Sequence, residues 1–479
     1  MTELIYGLVD MQSFYASCEV ASREEYAARR KEFDDSTDPP LVVSGDPARR
    51  SGIILAATPT AKRYGVENAM RLGEAIRLYP RLIVVRPHMA FYLHVSVRIQ
   101  MLMQQCFPFQ EQFSVDEGFI AFPYPSALFP DPIAAARNLQ ARIWDQFRIR
   151  ARIGLAPNKW LAKMANKAAK KTPDGIVWWR EEDIPNVLHP LPVEEMWGLK
   201  RRAEVLRRKF KCETIGDVAR LPVGVLKAEF GVWGEVIHRW ANGIDWGDIN
   251  PHSYHAPHKG FSHRTTLPRD FYERNEVAVV ILELLDKVCH RLRQAHQAGR
   301  RVSLGLTYEA LTGGFYRAKT LPRATNDPRE LYPVLLALFD EHWDGFGVRA
   351  VSVGVDMLQF HESAQLSLFK NVPARTRLYE TVDEIRARFG ETSIMRAVSL
   401  TRAGQLRERS LRIGGGIMHE HPRREHLRGH AACVARASQA HVANPARTGK
   451  TQTPGTDRGA LGGDAVRAQW RFARDAPCV

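Results

Sequence analysis

Cysteine is scarce: six residues, Cys18, Cys106, Cys212, Cys289, Cys433 and Cys478, are scattered through 479 positions, and no two share a CxxC spacing. That excludes a disulfide framework and a cysteine zinc site, and it fits a reducing, cytoplasmic compartment. Long apolar runs are absent as well. The longest, around Val277 to Leu285, is broken by Glu283, so no membrane span and no membrane partner are expected. There is no signal-peptide pattern, no internal repeat, and no Ser/His or Cys/His arrangement for nucleophilic catalysis. Acidic residues are in deficit. Lys and Arg number 68 against 53 Asp and Glu, for a net charge of +15, which points to a polyanionic partner, nucleic acid before a membrane surface. With 44% hydrophobic residues, the chain can pack cores, and its length calls for two to four domains.

The stretch Phe113-Ser114-Val115-Asp116-Glu117-Gly118-Phe119-Ile120 sets two adjacent carboxylates between short apolar runs. It reads as a tight β-hairpin with the carboxylates near its tip. Alone, such a pair is a solvated turn; with a third carboxylate it can hold a divalent cation, because Mg²⁺ takes oxygen ligands. Asp10 is the candidate third. It ends the apolar run Leu4 to Val9, and a buried strand delivers such a residue to the sheet edge where ligands bind.

The remaining pattern brings these residues together. Residues 21–40 read as a loop-rich linker, and a small basic unit follows, with strands at 41–43 and 53–56 and a helix capped by Thr58 with Pro59 at its first position. Arg49, Arg50, Lys62 and Arg63 lie in this unit. Beyond it come a short strand at 82–85, a helix at 88–106, the hairpin at 111–122, a helix from Asp131-Pro132 to Phe147 and a strand at 150–156. With residues 24–80 as an insertion, the order is the split βαβ, ferredoxin-like arrangement. Its first strand neighbours the third, so Asp10 converges with Asp116 and Glu117. Next, Lys159, Lys163, Lys167 and Lys170 fall in one stripe of a helix over 157–171. Like charges at that spacing fit either an acidic or phosphate partner or a solvated basic face.

Three segments carry a family likeness: Val9-Asp10-Met11-Gln12-Ser13-Phe14-Tyr15-Ala16-Ser17-Cys18-Glu19, Ser114-Val115-Asp116-Glu117 and Ile153-Gly154-Leu155-Ala156-Pro157-Asn158-Lys159. In this order and separation they resemble the Y-family translesion DNA polymerases, closest to the UmuC-like branch, and the likeness covers roughly residues 1–415. It implies an α+β, multidomain right-hand polymerase that adds dNTPs to a primer 3′-hydroxyl on a DNA template, in the response to DNA damage. Two Mg²⁺ ions would be held by Asp10, Asp116 and Glu117, with the Met11 carbonyl as a further ligand. Tyr15 looks like the steric gate against a ribose 2′-hydroxyl. Phe14, Lys62 and Lys170 match positions that bind the nucleotide, and Lys159 and Lys163 are DNA-binding candidates. Pro59 stands where many relatives have tyrosine, and Lys62 replaces a common arginine.

The same likeness implies a domain plan: palm at 1–23 and 81–184, fingers at 24–80, a helix-hairpin-helix thumb at 185–250, a little finger at 253–362, and an extension at 363–416. Gly198 and Lys200 would face a DNA phosphate in the thumb, Lys200 standing where a second glycine is common. His252, His255, His258 and His263 lack a zinc-ligand spacing and read as a linker entering a basic domain. Gln365-Leu366-Ser367-Leu368-Phe369 resembles the peptide that docks bacterial polymerases on the sliding clamp. The family also brings in a recombinase filament or accessory subunits as partner classes. Residues 417–479, rich in Ala, Arg, His and Gly, are expected to be disordered. Two other readings compete: a catalytically inactive DNA- and clamp-binding accessory protein of the same fold, and a nucleotidyl cyclase on a similar palm. The intact carboxylates oppose the first; the thumb, little finger and clamp motif oppose the second.

Overall fold

The structure, a computed structural model, describes residues 3–45, 52–250, 258–360, 372–413 and 416–417. The chain divides into units 1–420 and 421–479, and every described residue belongs to the first. The apolar run at the N-terminus forms strand β1 (Glu3–Met11), and α1 (Phe14–Ala21) and the single turn α2 (Glu24–Ala27) follow. A small sheet comes next, from β2 (Leu41–Ser44), β3 (Ile54–Ala57) and β4 (Ile83–Val85), with helices α3 (Pro59–Arg63) and α4 (Leu72–Leu78) between the last two strands. Thr58 caps α3 by accepting from the Ala61 amide, with Pro59 in the first turn, as the sequence predicts. The strand at 83–85 differs from expectation. It pairs in parallel with β2, so the small sheet runs past residue 80; the Ile83 amide donates to the Pro40 carbonyl and sets that register.

The larger sheet has the order β5-β6-β1-β7-β8, from β5 (Phe109–Gln112), β6 (Glu117–Tyr124), β7 (Ala151–Ala156) and β8 (Ile176–Trp178). Helices α5 (Met89–Cys106) and α6 (Pro132–Phe147) make its crossovers, and α7 (Lys159–Ala169) follows β7. Its first four strands have the ferredoxin-like order, with β1 between β6 and β7 and antiparallel to both. Helix α7 lies directly on β7: a Cβ at Gly154 would come within 2.1 Å of the Asn166 amide, so only glycine permits the approach. The buried Asn166 side chain then donates through Nδ2 to the carbonyls of Leu8 and Arg152, fixing the helix against two strands.

The linker is more ordered than its charge suggests. Buried Arg30 and Arg150 both pair with Asp38, at 2.7 Å each, and Arg150 also donates to the carbonyls of Lys31, Glu32 and Asp34. A buried ion group needs every partner satisfied, and here it fastens residues 30–38 to the start of β7.

Residues 184–241 form five short helices, α8 (Ile184–Val187), α9 (Arg201–Phe210), α10 (Ile215–Arg220), α11 (Val223–Phe230) and α12 (Val232–Ala241). The last sheet, of order β11-β10-β12-β9, comprises β9 (Gly260–Phe271), β10 (Gln297–Tyr308), β11 (Gly314–Thr325) and β12 (Val348–Phe360), covered by α13 (Arg274–Gln294) and α14 (Pro328–His342). Helices α15 (Val372–Phe389) and α16 (Leu406–Ser410) follow, and the short strands Arg412–Ile413 and Gly416–Ile417 pair after them. Among the described residues no helix is long and apolar enough to cross a membrane.

Candidate active site

Register places the carboxylates. Asp10 on β1 lies opposite Glu117, the first residue of β6, while Asp116 occupies the preceding turn and its carbonyl accepts from the Met11 amide at 2.9 Å. The apolar residues either side, Leu8 and Val9 on β1 and Phe119 and Ile120 on β6, are buried. They leave the polar ends of both strands at one rim of the sheet.

The Asp10 and Glu117 carboxyls are hydrogen-bonded to each other. Burial pushes Asp10 up to about 7 against the pull of Lys170, and the bond to Glu117 adds to the rise. Glu117 is held below the ordinary glutamate value in spite of burial, through Asp10 and the Lys163 ammonium. Lys170 Nζ sits 2.8 Å from Asp10 Oδ2, and Lys163 pairs with Glu117. The Asp116 carboxylate is turned away, accepting from Ser114 Oγ at 2.7 Å. Among the described residues no three acidic, His or Cys groups stand as a ready-made metal cluster, and lysines and a serine contact these oxygens. The donor chemistry nevertheless fits a hard cation: three carboxylates from adjacent backbone positions, two of them balanced here by lysine ammonium groups that a cation would replace.

The lysine stripe has acidic partners, and they are the protein's own. Lys159 Nζ lies 2.7 Å from Glu111 and 3.1 Å from the Asp248 carbonyl, Lys167 reaches Glu195, and Lys163 and Lys170 take Glu117 and Asp10. Lys62, from α3 of the small unit, joins the group. Its Nζ donates to Ser13 Oγ at 3.2 Å, and burial, aided by Lys170, holds its pKa below the usual lysine value.

Tyr15 is half-buried on α1, its ring 4.8 Å from that of Tyr92 and nearly parallel to it. The Phe14 ring is only 3% exposed and belongs to the core. Phe14 opens α1, so its backbone amide lies at a helix N-terminus. Gly198 and Lys200 lie together at the entry to α9, both with positive φ (93° and 44°). The structure thus brings Asp10, Glu117, Lys62, Lys163 and Lys170 to one place, with Asp116 and Tyr15 beside them. It sets Lys159, Gly198 and Lys200 elsewhere. Gln365, Leu366, Leu368 and Phe369 lie outside the described residues, as do His252 and His255.

The impB/mucB/samB family model matches residues 9–167, and that of the family's C-terminal domain matches residues 258–368. The chain is 41% identical over 419 residues to DNA polymerase IV 2 of Halalkalibacterium halodurans, spanning 87% of this chain and 99% of that one. It is 40% identical over 413 residues to DNA polymerase IV of Pelotomaculum thermopropionicum, spanning 86% and 98%. Its fold matches that of a Y-family DNA polymerase chimera with a TM-score of 0.58 at 23% identity, over 74% of this chain and 98% of that one. The chain belongs to the Y family of translesion DNA polymerases.

The family makes it a DNA-directed DNA polymerase of the DNA-damage response, acting on DNA and nucleotides with a divalent metal. Sequence reasoning missed two polar residues that the polymerase buries behind Tyr15: Glu19 and Tyr92. A signal existed. Glu19 stands one helical turn from Tyr15, a carboxylate inside an otherwise apolar helix, and a charge so placed must have a partner. The partner, 73 positions away, could not be named from the pattern.

Proposed function

We propose that Asp10, Asp116 and Glu117 hold two Mg²⁺ ions, with the Met11 main-chain carbonyl as a further ligand, for adding dNTPs to a primer 3′-hydroxyl opposite damaged template bases. The β1–β6 register supports this most directly, since it brings Asp10 opposite Glu117 with Asp116 one residue before it. Carboxylates held this close on rigid strands favour a cation between them. Such ions, when bound, lower the pKa of the primer hydroxyl and neutralise the triphosphate and the leaving pyrophosphate.

The chain's own residues do the rest. Lys170 and Lys62 exchange Asp10 and Ser13 for triphosphate oxygens, and the Phe14 amide adds a donor. Tyr15 fills the space that a ribose 2′-hydroxyl would need. Lys159 and Lys163 on the stripe, and Gly198 and Lys200 in the helix-hairpin-helix turn, contact the DNA backbone. We assign palm, fingers, thumb and little finger to residues 1–23 with 81–184, 24–80, 185–250 and 253–362, the fingers sheet reaching to Val85. The enzyme works at the nucleoid in the cytoplasm, within the SOS response.

Manganese binding followed by electron paramagnetic resonance tests the site without relying on turnover. Asp116→Ala weakens Mn²⁺ binding by more than about tenfold, since even partners outside the ligand shell are worth 10- to 100-fold, while primer–template affinity is retained. Unchanged Mn²⁺ binding would overturn the assignment.

We further propose that Gln365, Leu366, Leu368 and Phe369 dock on a bacterial sliding clamp, Leu368 and Phe369 filling an apolar pocket. Tethering raises the local concentration of a weak DNA binder to the order of millimolar. Replacing Leu368 and Phe369 by alanine removes clamp-stimulated synthesis and leaves clamp-free synthesis intact; equal loss of both would make the peptide structural.

A further inference from the structure

Tyr92 is fully buried and spans one turn of α1. Its ring lies on Tyr15 at a centroid distance of 4.8 Å and an interplanar angle of 19°. Its hydroxyl donates to Glu19 Oε1 at 2.5 Å. The i,i+4 spacing of Tyr15 and Glu19 makes this possible, because residues four apart share a helix face. Glu19 is 1% exposed and is itself held: His88 Nδ1 lies 2.7 Å from the same Oε1, and Arg23 Nη1 lies 2.8 Å from Oε2. Arg23 also donates to the Glu19 carbonyl. A carboxylate taken this far from water costs several kcal/mol unless its oxygens are satisfied. Packing alone would have been served by an apolar side chain.

The chain of contacts has a direction. The Tyr15 ring has Tyr92 on one face, and on the reading of Tyr15 as steric gate its free side meets the sugar. A gate works only if it does not yield. Stacking fixes the separation of two rings but lets them slide, since offset geometries are nearly equal in energy. The hydroxyl–carboxylate bond removes that freedom, because a buried phenol that slid would abandon its acceptor.

We propose that Glu19 is a positioning residue for sugar discrimination, acting through the Tyr92 hydroxyl on the ring of Tyr15. The inference rests on the gate reading, and the experiment separates the two. Single-nucleotide insertion is measured with a dNTP and with the matching rNTP for wild type, Tyr15→Ala, Tyr92→Phe and Glu19→Ala, and the ratio of kcat/KM values is compared.

Tyr15→Ala reports on the gate itself. Tyr92→Phe keeps the stack and removes one hydroxyl, and Glu19→Ala removes the acceptor. Both are expected to lower the dNTP-to-rNTP ratio by about fivefold to tenfold, the factor one buried hydrogen bond commands. Most of that change should come from faster rNTP insertion. The Tyr92→Phe, Glu19→Ala double variant should lower the ratio no further than either single change, since both act on discrimination through the one Tyr92–Glu19 hydrogen bond. A purely structural role would slow both substrates together and leave the ratio alone.

If Tyr15→Ala leaves discrimination unchanged, the gate assignment fails, and the inference with it. If Tyr15→Ala admits ribonucleotides while Tyr92→Phe and Glu19→Ala hold the wild-type ratio within about twofold, the gate stands and the role of Glu19 is overturned. Should Glu19→Ala fail to fold, Tyr92→Phe decides alone by the same ratio.

Discussion

Lys200 shows how one residue can keep a backbone that its side chain resists. With φ 44° and ψ −117°, it sits in a region that glycine adopts freely and other residues enter at a cost of about 1–3 kcal/mol. The resemblance to the helix-hairpin-helix thumb implies a second glycine here, and the structure keeps the glycine-like turn without the glycine. Lys200→Gly therefore relieves strain and gives up some of it to the freer unfolded chain; a net gain of about 1 kcal/mol is expected, read as a higher Tm. If Lys200 contacts a phosphate, the same variant flattens the salt dependence of DNA binding by about one unit of slope. A lower Tm would show that the turn is not strained. Legibility at this scale was uneven. Asp10, Asp116 and Glu117 could be singled out because charge next to apolar strands is conspicuous, whereas the own-chain partners of Lys159 and Lys163 depend on three-dimensional neighbours.

Among elements, periodicity decided what could be read. The long helices α5, α6 and α13 and the buried strands β1 and β7 stood out, since each has a clear apolar side. Strands β9 and β11 did not. Both are edge strands with most residues exposed or half-exposed, so neither face carries an apolar stripe. Residues 377–413 keep helical periodicity in the sequence, but their docking depends on distant partners: Asp383 pairs with Arg293, Arg396 with Asp286, and buried Glu283 accepts from the Gln405 amide and Arg409.

That contact gives a pH dependence. His263 on β9 has its pKa lowered from the ordinary value of 6.5, first by burial and then by Arg409, Lys287 and Arg291. The unfolded chain thus binds more protons than the folded one near pH 6, so stability rises with pH there and is lost as pH falls through 6.5. His263→Gln should flatten the fall in Tm between about pH 7 and pH 5. An unchanged slope would move the titration to another group.

At the scale of the whole molecule, separate cores serve separate tasks. One core lies under the carboxylate-bearing sheet, another under the sheet built from β9 to β12, a third joins α7 to the helices of residues 184–241, and a small one fills the unit built on β2 and β3. Helix α7 belongs to two of these stories, carrying lysines toward the carboxylates on one side and burying Trp160, Leu161 and Met164 on the other. Its place explains why motifs far apart in sequence lie together. The ferredoxin-like order was legible because a βαββαβ pattern admits few topologies. The small sheet's capture of residues 83–85 was not, because three residues carry no period.

The central claim is that the carboxylates on β1 and the β5–β6 hairpin are the catalytic centre of a polymerase, and primer extension tests it most directly. Purified protein is given a primed template, Mg²⁺ and the four dNTPs, beside Asp116→Ala, with primer–template affinity measured for both. The account predicts template-directed extension by the wild type, and none by the variant at equal DNA affinity. Wild-type protein that binds the template yet extends no primer, or Asp116→Ala that extends as well as the wild type, would contradict it.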